Sequence, residues 1–76
     1  DDQEDNWDSK RGLLEDARRR SLHNLHEVQF DFDTGKIDQR DYDLLRARYE
    51  QRAVAAMKAL DALDALRDPG AAEANA

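Results

Sequence analysis

Apolar residues recur at helical spacing along the first half of the chain. Counted at about 100° per residue, they form one stripe, and the opposite face of the same segment is charged. The stripe consists of Trp7, Leu14, Ser21, Leu25, Val28 and Phe32. Glu15 precedes Arg19 by four residues and Asp16 precedes Arg20 by four, which is the order that stabilises a helix. The pattern predicts a first helix over about residues 8–33.

A second apolar stripe follows in the other half of the chain. Its members recur at steps of three or four residues and are Tyr42, Leu45, Tyr49, Ala53, Ala56, Leu60 and Leu63. Good helix formers (Ala, Leu, Arg, Met and Lys) dominate residues 44–67. Pro69 prevents much continuation, because its ring and missing N–H disrupt a helix. This half therefore predicts a second helix over about residues 39–67.

The segment between the two stripes has the sequence of a tight turn. Gly35 can end a helix in the left-handed conformation without steric cost. Asp38 is a preferred helix N-cap, and Asp41 follows it three residues later, as in a capping box. Ile37, just before the cap, has the spacing of a hydrophobic staple with the fourth helical residue. We therefore expect a turn over residues 34–38.

A connection this short forces the two helices to run antiparallel. The sequence thus predicts an all-α fold, an antiparallel two-helix hairpin over residues 8–68. If Phe32 lies opposite Tyr42, the other pairs follow by counting outward from the turn. They are Leu25 with Tyr49, Ser21 with Ala53, Leu14 with Leu60, and Trp7 with Arg67. The small pair in mid-hairpin predicts that the helices approach closely there.

Both ends of the chain are polar and account for its net negative charge. Residues 1–9 hold five acids and no base, and the formal net charge of the whole chain is −6. We expect residues 1–7 to be an acidic disordered tail and residues 69–76, which open with Pro69 and Gly70, to be a flexible tail. Because the chain lacks a basic face free of competing acids, we expect no nucleic-acid partner.

Several apolar residues fall outside the seam between the two predicted helices. In the first helix these are Leu13, Leu22 and Phe30, and in the second they are Leu44, Ala55, Ala59, Ala62 and Leu66. Isolated exposed apolar residues are normal on a protein surface. The second set, however, recurs at helical spacing, which is typical of a helix with more than one neighbour. A two-helix core also contributes no more than about 3–5 kcal/mol.

These observations favour a non-catalytic scaffold or adaptor that docks a protein partner or a copy of itself, as a dimer or a larger assembly. The bundle would then be completed by self-association or partner binding. Aromatic side chains are the usual energetic centres of such interfaces. The predicted partner-binding residues are Phe30, Phe32, Tyr42, Leu44 and Leu66.

Residues able to carry chemistry are few. The chain has no cysteine, and no Ser or Thr has a plausible general-base arrangement in a concave site, so we expect neither an enzyme nor a cofactor. His23, His26 and Glu27 form a cluster at metal-ligand spacing on one helix, although a closed site would need a second subunit or the scattered carboxylates of the chain. The alternative function is therefore a metal- or ligand-binding helical bundle formed on oligomerisation. The same cluster is also compatible with a solvated helix face.

The turn region resembles a known helical hairpin over about residues 22–66. The matching residues are Phe30, Asp31, Phe32, Thr34, Gly35, Lys36, Ile37, Asp41, Tyr42, Leu45 and Ala53. The segment is similar to the soluble part of small bacterial membrane-anchored proteins related to the cytochrome c maturation protein of CcmI type. The resemblance implies an assembly or adaptor role in a membrane-linked biogenesis complex, with the haem-lyase machinery as one possible partner, and it carries over no catalytic residue.

The chain differs from that group because it contains neither an apolar run long enough to span a bilayer nor a zinc-ribbon tail. Any membrane contact would therefore be made through a segment outside this chain. We expect a cytoplasmic module that is tethered to the inner membrane in the full-length protein.

Overall fold

The structure, a computed structural model, describes residues 2–67 and is an antiparallel hairpin of two α-helices. Helix α1 spans Asp2–Asp33, and helix α2 spans Gln39–Arg67, which coincides with the range expected from its apolar periodicity. The fold class predicted from the sequence is confirmed. The flexible tail predicted for residues 69–76 lies outside the described residues.

Helix α1 begins at Asp2, not near residue 8, so residues 2–7 are helical instead of forming part of a disordered tail. This acidic stretch contains neither proline nor glycine. Acidic residue types are favoured in the first turn of a helix, because the helix dipole places positive partial charge at that end. Like-charged composition alone therefore led to the wrong boundary.

Helix α1 ends in a Schellman motif centred on Gly35. The Gly35 N–H donates to the Phe32 carbonyl over 3.1 Å, and the Lys36 N–H donates to the Asp31 carbonyl over 2.8 Å. Gly35 has a φ of 79°, the left-handed conformation that this motif requires and that favours glycine. The predicted role of Gly35 is confirmed.

Helix α2 begins with a side-chain cap. The Asp41 backbone N–H donates to the Asp38 carboxylate Oδ1 over 2.8 Å, and the Tyr42 N–H donates to the Asp38 carbonyl over 2.9 Å as the first bond of the helix. The cap satisfies an N–H that has no partner within the helix. Ile37, which precedes the cap, is half-buried at the turn.

The core is a single seam between the helices. Its buried apolar residues are Val28, Tyr42, Ala53, Ala56, Leu60 and Leu63, and Ser21 is buried with them. The predicted register holds at both ends of the seam. Phe32 stacks on Tyr42 near the turn, and at the open end Arg11 contacts Asp64.

The seam is thin. Three of its seven members are Ala or Ser, and no large side chain among residues 6–67 is fully buried. At the open end Trp7 is half-buried, and its buried indole N–H has no acceptor among the side chains described for residues 6–67. A core of this size supplies little stability, because apolar stabilisation scales with the area removed from water.

Candidate interaction surface

A groove of about 610 Å³ runs along one side of the hairpin, between the two helices. Its floor is small and apolar, made by Leu14, Ala17 and Ser21 of α1 and by Ala55 and Ala56 of α2. Its walls carry the polar side chains Arg20, Asn24 and Arg52. We call these eight residues the groove.

The groove exists because the residues on this side of the seam are small. Ser21 and Ala53 are the central pair of the predicted register, and they are only 5% and 4% exposed. Alanine side chains at positions 17, 55 and 56 fill less of the space between two helices than leucine would. The floor therefore stays low, leaving room for side chains from another helix.

The groove is basic. Arg20 stands on the α1 wall and Arg52 on the α2 wall, and neither forms an ion pair with any residue in the described part of the chain. The Arg52 guanidinium lies 5.6 Å from the centre of the Tyr49 ring, a cation–π contact that orients it. No carboxylate and no histidine lines the groove beside Ser21, so its one hydroxyl lacks a general base.

Of the five predicted partner-binding residues, three are exposed. Leu44 is 62% exposed, Leu66 76% and Phe30 55%. Leu44 and Leu66 share one face of α2 with the groove residue Ala55, and each lies eleven residues, about 16 Å, along the helix from it. Phe30 lies away from the seam near the turn, with the Lys36 ammonium 5.8 Å from its ring centre.

The other two, Phe32 and Tyr42, belong to the seam. Their ring centres are 4.4 Å apart and their planes differ by 19°. Tyr42 is buried, Phe32 is half-buried, and the Tyr42 hydroxyl donates to the Gln29 side-chain oxygen over 2.6 Å. Their aromatic surface is therefore used within the hairpin, and little of it remains for a partner.

The opposite side of α2 carries a second exposed surface that the sequence reading missed. Glu50, Val54, Met57 and Asp61 follow one another at steps of four, three and four residues, and all four are exposed. We call them the acidic face. The helical spacing was available in the sequence. Its signal is weak, however, because only two of the four residues are apolar.

Ion pairs join the helices at the open end. Arg11 donates two hydrogen bonds to the Asp64 carboxylate, from Nε to Oδ1 over 3.1 Å and from Nη2 to Oδ2 over 3.3 Å. Arg11 also contacts Glu15 on its own helix. The hydrogen bond to Asp64 is the largest cause raising the pKa of Arg11 above its ordinary value, followed by the bond to Glu15. Arg67 lies 3.7 Å from Asp8. These contacts fix the register from the end opposite the turn.

The histidine cluster lies on an exposed face of α1. His23 Nε2 is 3.7 Å from Glu27 Oε1, and His23, His26 and Glu27 are all exposed. Within the part of the chain that the structure describes, no three His, Cys, Asp or Glu side chains come close enough together to hold a metal ion. Within the described residues, the cluster therefore supplies three candidate ligands that do not converge on one metal ion.

Neither described helix contains an apolar stretch long enough to cross a membrane. Both helices carry charged residues among their apolar ones. No family model matches the chain, and neither a curated protein nor a solved structure shows significant similarity to it.

Proposed function

We propose that this chain is a non-catalytic scaffold or adaptor hairpin that assembles with another protein through the groove and the apolar residues beside it. The observation that carries the proposal is the contrast between the two sides of α2. One side closes against α1, while Leu44 and Leu66 stay 62% and 76% exposed on the face of α2 that also contains the groove residue Ala55. A helix apolar on two faces is typical of contact with two neighbours.

Energetics support the same conclusion. The exposed large apolar side chains are Leu13, Leu22, Phe30, Leu44, Val54, Met57 and Leu66, whereas no large side chain among residues 6–67 is fully buried. A hairpin with so thin a core gains stability by placing these residues against a further protein surface. Exposed apolar patches on small domains are also frequent sites of protein–protein contact.

The chemistry of the groove favours binding over catalysis. Its polar groups are two guanidiniums, one amide and one hydroxyl, all of which can donate hydrogen bonds to a bound partner and so orient it. A nucleophile would need a base within hydrogen-bond reach, and the groove lining supplies none.

The resemblance of the turn region to CcmI-type proteins supports a setting for the proposal. Such a module would act in a membrane-linked biogenesis complex, held at the membrane by a segment outside this chain. The resemblance residues that are exposed, such as Phe30 and Lys36, lie at the turn end of the hairpin. A partner in that setting would contact the turn end as well as the groove.

Site-specific photo-crosslinking tests the proposal. A benzoyl-phenylalanine at position 44 should give one discrete protein adduct in cells, whereas the same probe at position 26, on the exposed histidine face, should give none. Leu66→Asp should suppress the adduct from position 44 while leaving the helicity unchanged, because Leu66 is exposed. Equal adducts from both probe positions, or an adduct indifferent to Leu66→Asp, would contradict the proposal.

A further inference from the structure

The two exposed surfaces on α2 carry opposite charge. The groove presents Arg20 and Arg52, which form no ion pair with the side chains described for residues 6–67. The acidic face presents Val54 and Met57 with one carboxylate at each end of its four-residue line. At about 100° per residue, the acidic face points about 180° around α2 from the groove side. One copy can therefore offer both surfaces at once.

We propose that the groove of one copy of this chain receives the acidic face of a second copy. This inference rests on the proposed assembly function and names the partner as the chain itself. Val54 and Met57 of the second copy lie on the small apolar floor around Ala17 and Ala55. A carboxylate of the acidic face lies between Arg20 and Arg52.

The spacing of charges on the two surfaces matches. Lys10 lies one helical turn before Leu14 on α1, so it extends the groove side toward the open end. Lys10 and Arg20 are ten residues apart, about 15 Å along a helix, and Glu50 and Asp61 are eleven residues apart, about 16 Å. One carboxylate can therefore meet the arginine walls while the other meets Lys10.

Glu50 is the one member of the acidic face with an internal ion pair. Arg46 Nε lies 2.7 Å from Glu50 Oε1, in an exposed pair one turn apart. Such surface pairs contribute little, so the carboxylate remains available to a second donor. Asp61 forms no ion pair with any other side chain described between residues 6 and 67.

A symmetric dimer with groove against groove would bring Arg20 and Arg52 of one copy against those of the other. Like charges facing each other across an interface are unfavourable, and complementary charges fix the register of a contact. The groove-to-face contact joins two different surfaces, so it does not close after two copies. The assembly is therefore expected to grow beyond a dimer as concentration rises.

Charge reversal on each surface tests the proposal by sedimentation velocity. The wild-type chain should show a weight-average mass that rises past the dimer value with concentration. Arg20→Glu with Arg52→Glu should weaken association at least about tenfold, and Glu50→Lys with Asp61→Lys should do the same. An equimolar mixture of the two double variants should restore association, because the unchanged acidic face of the first variant meets the unchanged groove of the second.

Matched controls separate charge from fold. Arg18→Glu with Arg40→Glu changes the net charge equally, at exposed positions outside the groove, and should leave association unchanged. Far-ultraviolet circular dichroism checks that every variant keeps its helicity. Arg20→Gln with Arg52→Gln removes the two groove charges without reversing them, and it should still weaken association.

Three results would overturn the inference. The first is a wild-type chain that stays monomeric at about 1 mM, a concentration at which a contact of even millimolar Kd would be detected. The others are an association that stops at a dimer and is unaffected by both charge reversals, and a mixture of the two double variants that does not associate. A monomeric chain that still forms the Leu66-dependent crosslink to a different protein would refute self-docking while leaving the assembly function intact.

Discussion

Phe32 and Tyr42 stack across the turn with their ring centres 4.4 Å apart, and the Tyr42 hydroxyl donates to the side chain of Gln29, one helical turn before Phe32 on α1. The contact joins the last turn of α1 to the first turn of α2. It brings together three side chains that are separated by no more than thirteen residues. Closing so short a loop costs little chain entropy, so contacts at the turn form at a lower entropic cost than contacts at the open end of the hairpin.

Removing the Tyr42 hydroxyl should have a modest effect on stability. Tyr42→Phe keeps the ring stack and loses one partly buried hydrogen bond, so it should lower the free energy of unfolding by about 0.5–1.5 kcal/mol. Tyr42→Ala also removes the buried ring and should cost about 3 kcal/mol, comparable to the whole stability of a small core. Urea titration followed by circular dichroism measures both. Equal midpoints for the two variants would show that the ring is not part of the core.

Two glycines should respond in opposite directions to the same substitution. Gly35→Ala meets no atom within 4 Å, but its φ of 79° forces the new side chain into the left-handed region, at a cost of about 1–2 kcal/mol. Gly12→Ala also meets no atom within 4 Å and lies inside helix α1, where alanine should stabilise by about 0.5–1 kcal/mol. Thermal unfolding of both variants tests this contrast. A stabilising Gly35→Ala would mean that the Schellman turn does not form in solution.

Local signals in the sequence were sufficient for the turn and the seam. Gly35 and Asp38 act within a few residues of themselves, so their sequence neighbours decide their role. The apolar period of α2 likewise identified the face that meets α1. The register followed from one assumption, that Phe32 lies opposite Tyr42, because an antiparallel hairpin leaves no other freedom once one pair is fixed.

The sequence was less informative about the interaction surface, for a geometric reason. Phe32 and Tyr42 could be assigned both to the seam and to a docking surface, and only the crossing of the helices shows that the seam buries Tyr42. The groove is likewise a property of the space between α1 and α2, formed by residues distant in sequence such as Ala17 and Ala55. Periodicity identifies faces on one helix, but it does not show how deep a groove between two helices is.

The N-cap of α2 should contribute a measurable part of the stability. Asp38→Ala removes the acceptor of the Asp41 N–H and should cost about 1 kcal/mol. Asp38→Asn keeps a side-chain oxygen at the same position and should stay within about 0.5 kcal/mol of wild type, because asparagine caps helices as well as aspartate does. Denaturant unfolding compares the two. If both variants lost the same amount of unfolding free energy, the charge of Asp38 near the helix dipole would matter more than its hydrogen bond.

Phe30 and Phe32 provide the sharpest test of which aromatic side chain holds the hairpin together. The two residues lie two positions apart near the end of α1, so their side chains point in different directions from the helix axis. Phe30 is 55% exposed and Phe32 is half-buried against Tyr42. Phe30→Ala should therefore change the free energy of unfolding by less than about 0.5 kcal/mol, as surface substitutions do.

Phe32→Ala is the matched variant, since it makes the same chemical change in the seam. It should destabilise by about 2 kcal/mol, below the value for a fully buried phenylalanine because part of the ring is already in contact with water. Chemical denaturation of both proteins at one low concentration, where association is absent, isolates this effect. A larger loss for Phe30→Ala than for Phe32→Ala would place Phe30 in the seam, and the turn-end geometry described above would be wrong.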